Sequence, residues 1–320
     1  LDLNLLIDNI TNPAFLFFIL GIIAVKLKSD LEIPPNSSKF ISIYLLFSIG
    51  FKGGQELAHS HFTMEIIWAA IFGLLIASAI PLYTFFILKR KLSAEDSGAI
   101  AAAYGSVSAV TFVTAVSFLE TQNNTFSGYM VAIMALMEAP AIIIGVMLIQ
   151  LFSQQKQRIV KMKNVITHSF TNGSVLLILG SLIIGILANE KQAQGIKPFT
   201  TDIFKGFLAI FLLDMGITSG KKLNDFIKNG WFTAMFALII PLLNGCVVGV
   251  LSGFITQDIG NRFIFSVLAA SASYIAVPAA MKIAAPKANP GLFLPMALAV
   301  TFPFNITIGM PFYYLIIQNS

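Results

Sequence analysis

Two short runs of small and hydroxylated residues, Gly105-Ser106-Val107-Ser108 and Ala270-Ser271-Ala272-Ser273, interrupt apolar segments about half a chain apart. Glycine weakens a helix, and serine caps a new one by accepting from its first free N–H groups, so each run suits a break in mid-segment. The second run is followed by Pro278, which removes another backbone donor and bends what comes after. A helix that restarts there presents unpaired N–H groups and roughly half a positive charge, a cradle for a small oxyanion. No Lys or Arg lies in the central stretch of either segment. Gly105, Ser106, Ser108, Ser271, Ala272 and Ser273 are therefore the candidate substrate-binding residues, with the four hydroxyls orienting a planar anion. Small residues also let helices pack closely, which is the alternative for either run alone. Their pairing at equivalent places favours a site.

Carboxylates inside apolar segments are the second signal, because ionisable groups at depth in lipid are rare and usually functional. Glu138 lies mid-segment, two residues before Pro140. Thr301 stands at the matching place in the other half, with Asn305 one turn further along. Together with Thr111 these residues offer hard oxygen ligands to a sodium ion beside the breaks. The alternative for Glu138 is a protonated or hydrogen-bonded packing residue. Asp214, before Met215-Gly216, reads more readily as a helix-end or interdomain contact than as an ion ligand. His59, His61 and Glu65 resemble a metal trio, but without partners elsewhere they read as a solvated loop. No nucleophile elbow, P-loop or zinc spacing is present, so an enzyme is not expected, and no metal or cofactor beyond sodium as coupling ion.

The elements that must hold these residues are membrane spans. The chain is 57% hydrophobic and 11% charged, with a mean hydropathy of +0.84, which excludes an ordinary soluble domain. Apolar runs between Gly, Pro and charged punctuation predict an all-α membrane protein of about ten helices: 13–28, 38–54, 65–88, 96–119, 126–152, 173–190, 199–220, 230–255, 261–283 and 290–317. The net charge of +5 comes from basic residues between these runs, as a topology signal would require, and not from a nucleic-acid surface. With the N-terminus outside, fifteen of the twenty Lys and Arg fall in inner loops, so both termini are expected outside a cell membrane. The basic run Lys156 to Lys163 before His168 reads as a stop signal that touches anionic lipid, with docking of a soluble regulator as the lesser alternative. Leu1-Asp2-Leu3 carries no basic n-region, so no cleavable signal peptide is expected. The single cysteine, Cys246, supports no disulfide framework.

The halves also match each other. Asn12-Pro13-Ala14 parallels Asn172-Gly173-Ser174, Ile49-Gly50 with Gly54 parallels Met215-Gly216 with Gly220, and Ile80-Pro81-Leu82 parallels Ile240-Pro241-Leu242. The Ser-x-Ser runs obey the same offset of about 160 to 166 residues, as does Met134-Ala135-Leu136 against Met296-Ala297-Leu298. Five spans per copy is an odd number, so the second copy must enter from the opposite side, giving a 5+5 inverted repeat with broken helices at spans 4 and 9. The expected division is 1–152 and 173–320 as the repeats, joined by a cytoplasmic linker over 153–172. Core spans lie at 65–152 and 230–317, and gate spans at 13–54 and 173–220.

Over nearly its whole length the chain resembles the sodium-dependent bicarbonate permeases first associated with cyanobacteria. The resemblance is carried by Gly105-Ser106-Val107-Ser108-Ala109-Val110-Thr111, by Ala269 to Pro278, by Met137-Glu138-Ala139-Pro140 and by Ala288-Asn289-Pro290. It implies crossed broken helices, a core domain moving against a gate domain, a homotrimer, and symport of bicarbonate with sodium across the bilayer. Cyanobacterial members tend to have an acidic residue where this chain has Tyr274, and further serines where it has Ala272, Ala276 and Val110. The linker between the halves, about 153–172, is also much shorter than in those relatives, whose cytosolic regulatory partner is a small PII-like protein, so the resemblance leaves that partner open here. The expected function is sodium-coupled bicarbonate symport by alternating access. Transport of another small anion or carboxylate with sodium or protons is the alternative, and a non-transporting membrane receptor or scaffold is the third reading.

Overall fold

The computed structural model describes residues 11–60, 62–153, 165–167, 171–227 and 230–320. These are helical, with no strand among the described residues. Leu1 to Leu3, His61, the basic run from Lys156 to Lys163, His168 and Lys228 lie outside the described residues.

Helices α1 (Pro13–Lys26) and α2 (Pro35–His59) are followed by α3 (Met64–Leu88), then by α4 (Ala94–Gly105) and α5 (Ala109–Thr121). Next is α6 (Tyr129–Phe152). Beyond the linker come α7 (Gly173–Leu187), the short α8 (Glu190–Lys197), α9 (Phe204–Ile227), α10 (Trp231–Leu251), α11 (Ile259–Ala270) and α12 (Ala276–Ala284). The last is α13 (Pro290–Gln318), a long helix containing π-helical turns at Met296–Thr301 and Asn305–Gly309. Local chemistry sets many of the starts. Asn12, Asn172 and Asn289 cap α1, α7 and α13, Ser93 caps α4, and Asp258 caps α11.

Six segments are long and apolar enough to cross a membrane: Met64–Leu88, Ala94–Thr121, Tyr129–Phe152, Glu190–Leu223, Trp231–Phe254 and Pro290–Gln318. The chain is thus a multi-pass membrane protein. The other expected spans differ for physical reasons. α1, α7 and α11 are apolar but only 14, 15 and 12 residues long. α2 has 25 residues, about 37 Å of helix, yet carries Lys39, Lys52 and Glu56.

Two helix pairs are packed backbone to backbone. Along α1 and α9, Gly21 and Gly216 face each other; a Cβ on Gly21 would come within 2.7 Å of the Ile217 nitrogen, and one on Gly216 would collide with the Phe18 carbonyl oxygen. Along α2 and α7 the same is true of Gly50, Gly54 and Gly185, where a Cβ on Gly50 would lie 2.8 Å from the Ile178 oxygen. Without a strong hydrophobic drive between helices in lipid, such close approach supplies the dispersion contact that holds them. α3, α4 and α6 pack against one another, as do α10, α11 and α13.

Candidate functional site

α4 stops at Gly105, and α5 starts at Ala109 after three residues of extended backbone around Ser106 and Ser108. Gly105 lies where a side chain would meet the Pro81 ring and the Ala141 methyl, so its smallness lets α4 end against α3 and α6. The Ser108 hydroxyl accepts from Thr111 N–H at 3.2 Å and caps α5. In the second half α11 ends at Ala270, and α12 begins at Ala276 with no side-chain cap.

The two interruptions satisfy each other's backbone. Ser108 N–H donates to Ser271 Oγ at 2.9 Å, and Ser273 N–H donates to Ala103 O at 2.8 Å. The Ser271 hydroxyl in turn donates to Leu268 O at 2.8 Å, and Asn305 Nδ2 donates to Ala270 O at 2.7 Å. Helix ends leave orphan donors and acceptors, and unpaired ones are costly away from water, so these cross-links let the chain be irregular where it is buried. Ser271→Ala removes the acceptor for the buried Ser108 N–H, and the expected cost is about 1–3 kcal/mol. It should appear as a lowered thermal midpoint in detergent, followed by size-exclusion profile after heating, while Ser273→Ala leaves that midpoint near its starting value.

A small cavity opens beside this crossing. Its walls include Ser108, Ala109 and Val110 at the start of α5, Ser273 to Ala276 leading into α12, and Glu138 from α6. Two helix N-termini therefore face one space, together with a carboxylate. Ser273 Oγ has no hydrogen-bond partner among the described residues, and neither has the Glu138 carboxylate, which is only 6% exposed. Tyr274 also lines the cavity; its hydroxyl lies 3.6 Å from Met215 Sδ on α9, and its ring meets Phe302 edge-on.

The remaining expected site residues stand elsewhere. Ser106 is fully buried behind the cavity and donates weakly to Glu138 O at 3.4 Å; Ser271 and Ala272 are buried in the crossing itself. Thr301 bonds Tyr104 and the Ala237 carbonyl, both at 2.8 Å, and Asn305 also accepts from Tyr313 at 3.0 Å. Neither residue lines the cavity with Glu138, nor does Thr111. The π-helical turns of α13 carry Thr301 and Asn305, a placement common at functional positions. Asp214 accepts a hydrogen bond from Ser38 and so ties α9 to α2. Among the described residues no group of His, Cys, Asp and Glu could hold a metal ion. The residues that sequence reasoning missed are Ser42, Leu45 and Leu46 on α2 and Ser174 on α7, which close the cavity from the side opposite the breaks. Only Ser174, two residues beyond the Asn172 cap, carried a visible signal, and that signal was for a helix start.

Comparison with known proteins gives the family. A family model for the Na+-dependent bicarbonate transporter superfamily matches residues 13–318. The chain belongs to that superfamily. A search of curated proteins finds no match. The matched region contains both interruptions, Glu138 and every helix that lines the cavity, so family membership and the site concern the same part of the chain.

Proposed function

We propose that this chain is a sodium-coupled symporter of bicarbonate that works by alternating access around the cavity at the two interruptions. The single observation that carries this reading is that two helix N-termini and one buried carboxylate share a single cavity. The N-termini and the free Ser273 hydroxyl suit a small oxyanion, and no Lys or Arg is needed to hold it. Glu138 opposes an anion in the same space unless a cation is present. A sodium ion beside Glu138 turns that repulsion into attraction, so the two ions enter together or not at all. Thr111, Thr301 and Asn305 are further candidate oxygen ligands that a shift of α5 and α13 against α6 would have to bring towards Glu138.

The architecture of the reading is ten crossings in a 5+5 inverted repeat, with α4–α5 and α11–α12 as crossing broken helices and both termini outside. Helix pairing supports it. α1 packs on α9 and α2 on α7, two pairs that exchange when the halves are exchanged. The contacts of α3 with α4 and of α10 with α11 exchange in the same way. In this division residues 65–152 and 230–317 form a core, and 13–54 and 173–220 form a gate that supplies Ser42, Leu46 and Ser174. Relative movement of core and gate then exposes the cavity to one side at a time.

The test is a Ser108→Ala, Ser273→Ala double variant, assayed in proteoliposomes for uptake of labelled bicarbonate under a sodium gradient. Loss of two hydroxyl contacts is expected to raise the half-saturating bicarbonate concentration by roughly 10-fold or more. Unchanged half-saturation and rate would remove the interruptions as the substrate site. Ser108→Thr, which keeps the cap, separates a lost contact from a damaged helix start.

A further inference from the structure

Glu120, at the end of α5 away from the cavity, is met by two lysines from two different helices. Lys205 Nζ of α9 lies 3.1 Å from its Oε2, and Lys52 Nζ of α2 lies 3.9 Å from its Oε1. Lys52 also stands 5.7 Å from the centre of the Phe204 ring, so α2, α5 and α9 are joined at one point. In the proposed division α5 belongs to the core, whereas α2 and α9 belong to the gate. The ion pairs therefore cross the seam along which the two bodies move.

Their position along that seam is informative. A second cavity lies at the pairs, lined by Ile49, Lys52, Glu56, Val116, Glu120 and Asn124 among others. On α2 it begins where the first cavity ends, Leu45 and Leu46 facing the first and Ile49 and Lys52 the second. On α5 the order is the same, Val110 and Val113 first, then Val116 and Glu120. Ile49, Val113 and Val116 are buried at the boundary, which closes the passage between the two spaces. The ion pairs hold the seam shut on the far side of that apolar plug.

The repeat-equivalent positions do not carry the same three groups. The 165-residue offset that relates Ser106 to Ser271 takes Glu120 to Ala285, and the 166-residue offset that relates Gly50 to Gly216 takes Lys52 to Thr218. Lys205 corresponds to Lys39 by the same offset, so of the three positions only this one keeps its charge. An inverted repeat with identical seams would favour neither state. Here the trio of Glu120, Lys52 and Lys205 is not repeated at the equivalent positions.

We propose that Glu120, Lys52 and Lys205 form an ionic latch that biases the resting transporter towards the state closed at residues 116–126. The latch rests on the reading that core moves against gate. Its groups are 33 to 68% exposed, so water and salt weaken it, and it shifts a population without locking one state. In the proposed orientation it closes the outer side and leaves the cavity facing inward.

The test places Val116→Cys in a Cys246→Ser background and measures the rate of labelling by a membrane-impermeant maleimide from the latch side of proteoliposomes. Glu120→Gln should raise that rate about two- to five-fold at low ionic strength, the range of an exposed ion pair. Choline chloride at 1 M should raise the rate of the parent but not of Glu120→Gln. The triple swap Glu120→Lys, Lys52→Glu, Lys205→Glu should return it to the slow value. Lys205→Gln serves as a second variant should Glu120→Gln fold poorly. A rate unchanged by Glu120→Gln, by Lys205→Gln and by salt would overturn the latch. Labelling needs no transport, so sodium-driven uptake by the same vesicles with unresponsive labelling overturns the latch alone. Responsive labelling in a parent that takes up no bicarbonate keeps the latch and removes the transport reading.

Discussion

Glu138→Gln is expected to lower sodium-dependent bicarbonate uptake by roughly 10- to 150-fold, the range for losing a contact between a charged group and its partner. The variant keeps the shape of the side chain and its two polar atoms, so packing of α6 is preserved. It removes the only carboxylate among the described residues that lines the cavity beside the two helix N-termini. Sodium then loses its strongest ligand, while the anion gains a neutral neighbour in place of a negative one. The expected signature is therefore specific. The half-saturating sodium concentration rises steeply or sodium stimulation disappears, whereas anion binding measured by protection against cysteine labelling is retained. Equal loss of both would make Glu138 a packing residue. The check is uptake titrated with sodium at fixed bicarbonate, with choline replacing sodium.

Gly216→Ala is expected to have the largest effect on stability. A single methyl at that position would collide with the Phe18 carbonyl oxygen and come within 3.1 Å of the Gly21 Cα, both on the neighbouring helix. Neither is the end of a flexible side chain, so α1 and α9 must separate along their length. Overpacking of this kind costs about 1–3 kcal/mol, and a rigid backbone neighbour puts it at the upper end. Gly206→Ala in the same helix is the control, because nothing lies within 4 Å of a Cβ there, and the gain in helix propensity should make it neutral or slightly stabilising. Thermal midpoints of the two variants in detergent, compared side by side, check this. Similar midpoints would mean that the close approach of α1 and α9 is not what holds the pair.

Much of the secondary structure was readable because its causes are local. Gly105, Ser108 and Ser271 stand where α4 ends, α5 begins and α11 ends, and glycine and serine act on the turn in which they lie. Asn12 and Asn172 mark helix starts for the same reason. Span ends were less readable where polarity and burial conflict: α2 continues to His59, beyond Lys52 and Glu56, because glycines on its other face pack against α7.

The candidate site was legible in its types but not in its partners. Ser108, Ser273 and Glu138 come to one cavity, whereas Ser271 accepts from the Ser108 N–H of the other interruption, and Thr301 and Asn305 donate to the carbonyls of Ala237 and Ala270. Nothing in the local pattern of a serine tells whether its hydroxyl will face a cavity or satisfy an orphaned carbonyl of another helix. That choice is made by the crossing of segments about 165 residues apart. Ser42 was invisible for the opposite reason, since it lies on a helix assigned to the gate and reaches the cavity only through the packing of α2 beside α5. Tyr274 stood out in the sequence as a departure from cyanobacterial relatives, but its contact with Met215 across to α9 is a tertiary fact.

The most direct measurement is uptake of labelled bicarbonate into proteoliposomes containing only this protein, with a sodium gradient directed inward, compared with choline at the same ionic strength and with an imposed pH gradient. Sodium-coupled symport predicts accumulation above equilibrium that requires the sodium gradient, collapses when sodium is equalised, and is not restored by the pH gradient. Bicarbonate accumulation that follows the pH gradient and ignores sodium, or binding of bicarbonate without any accumulation, would contradict the account.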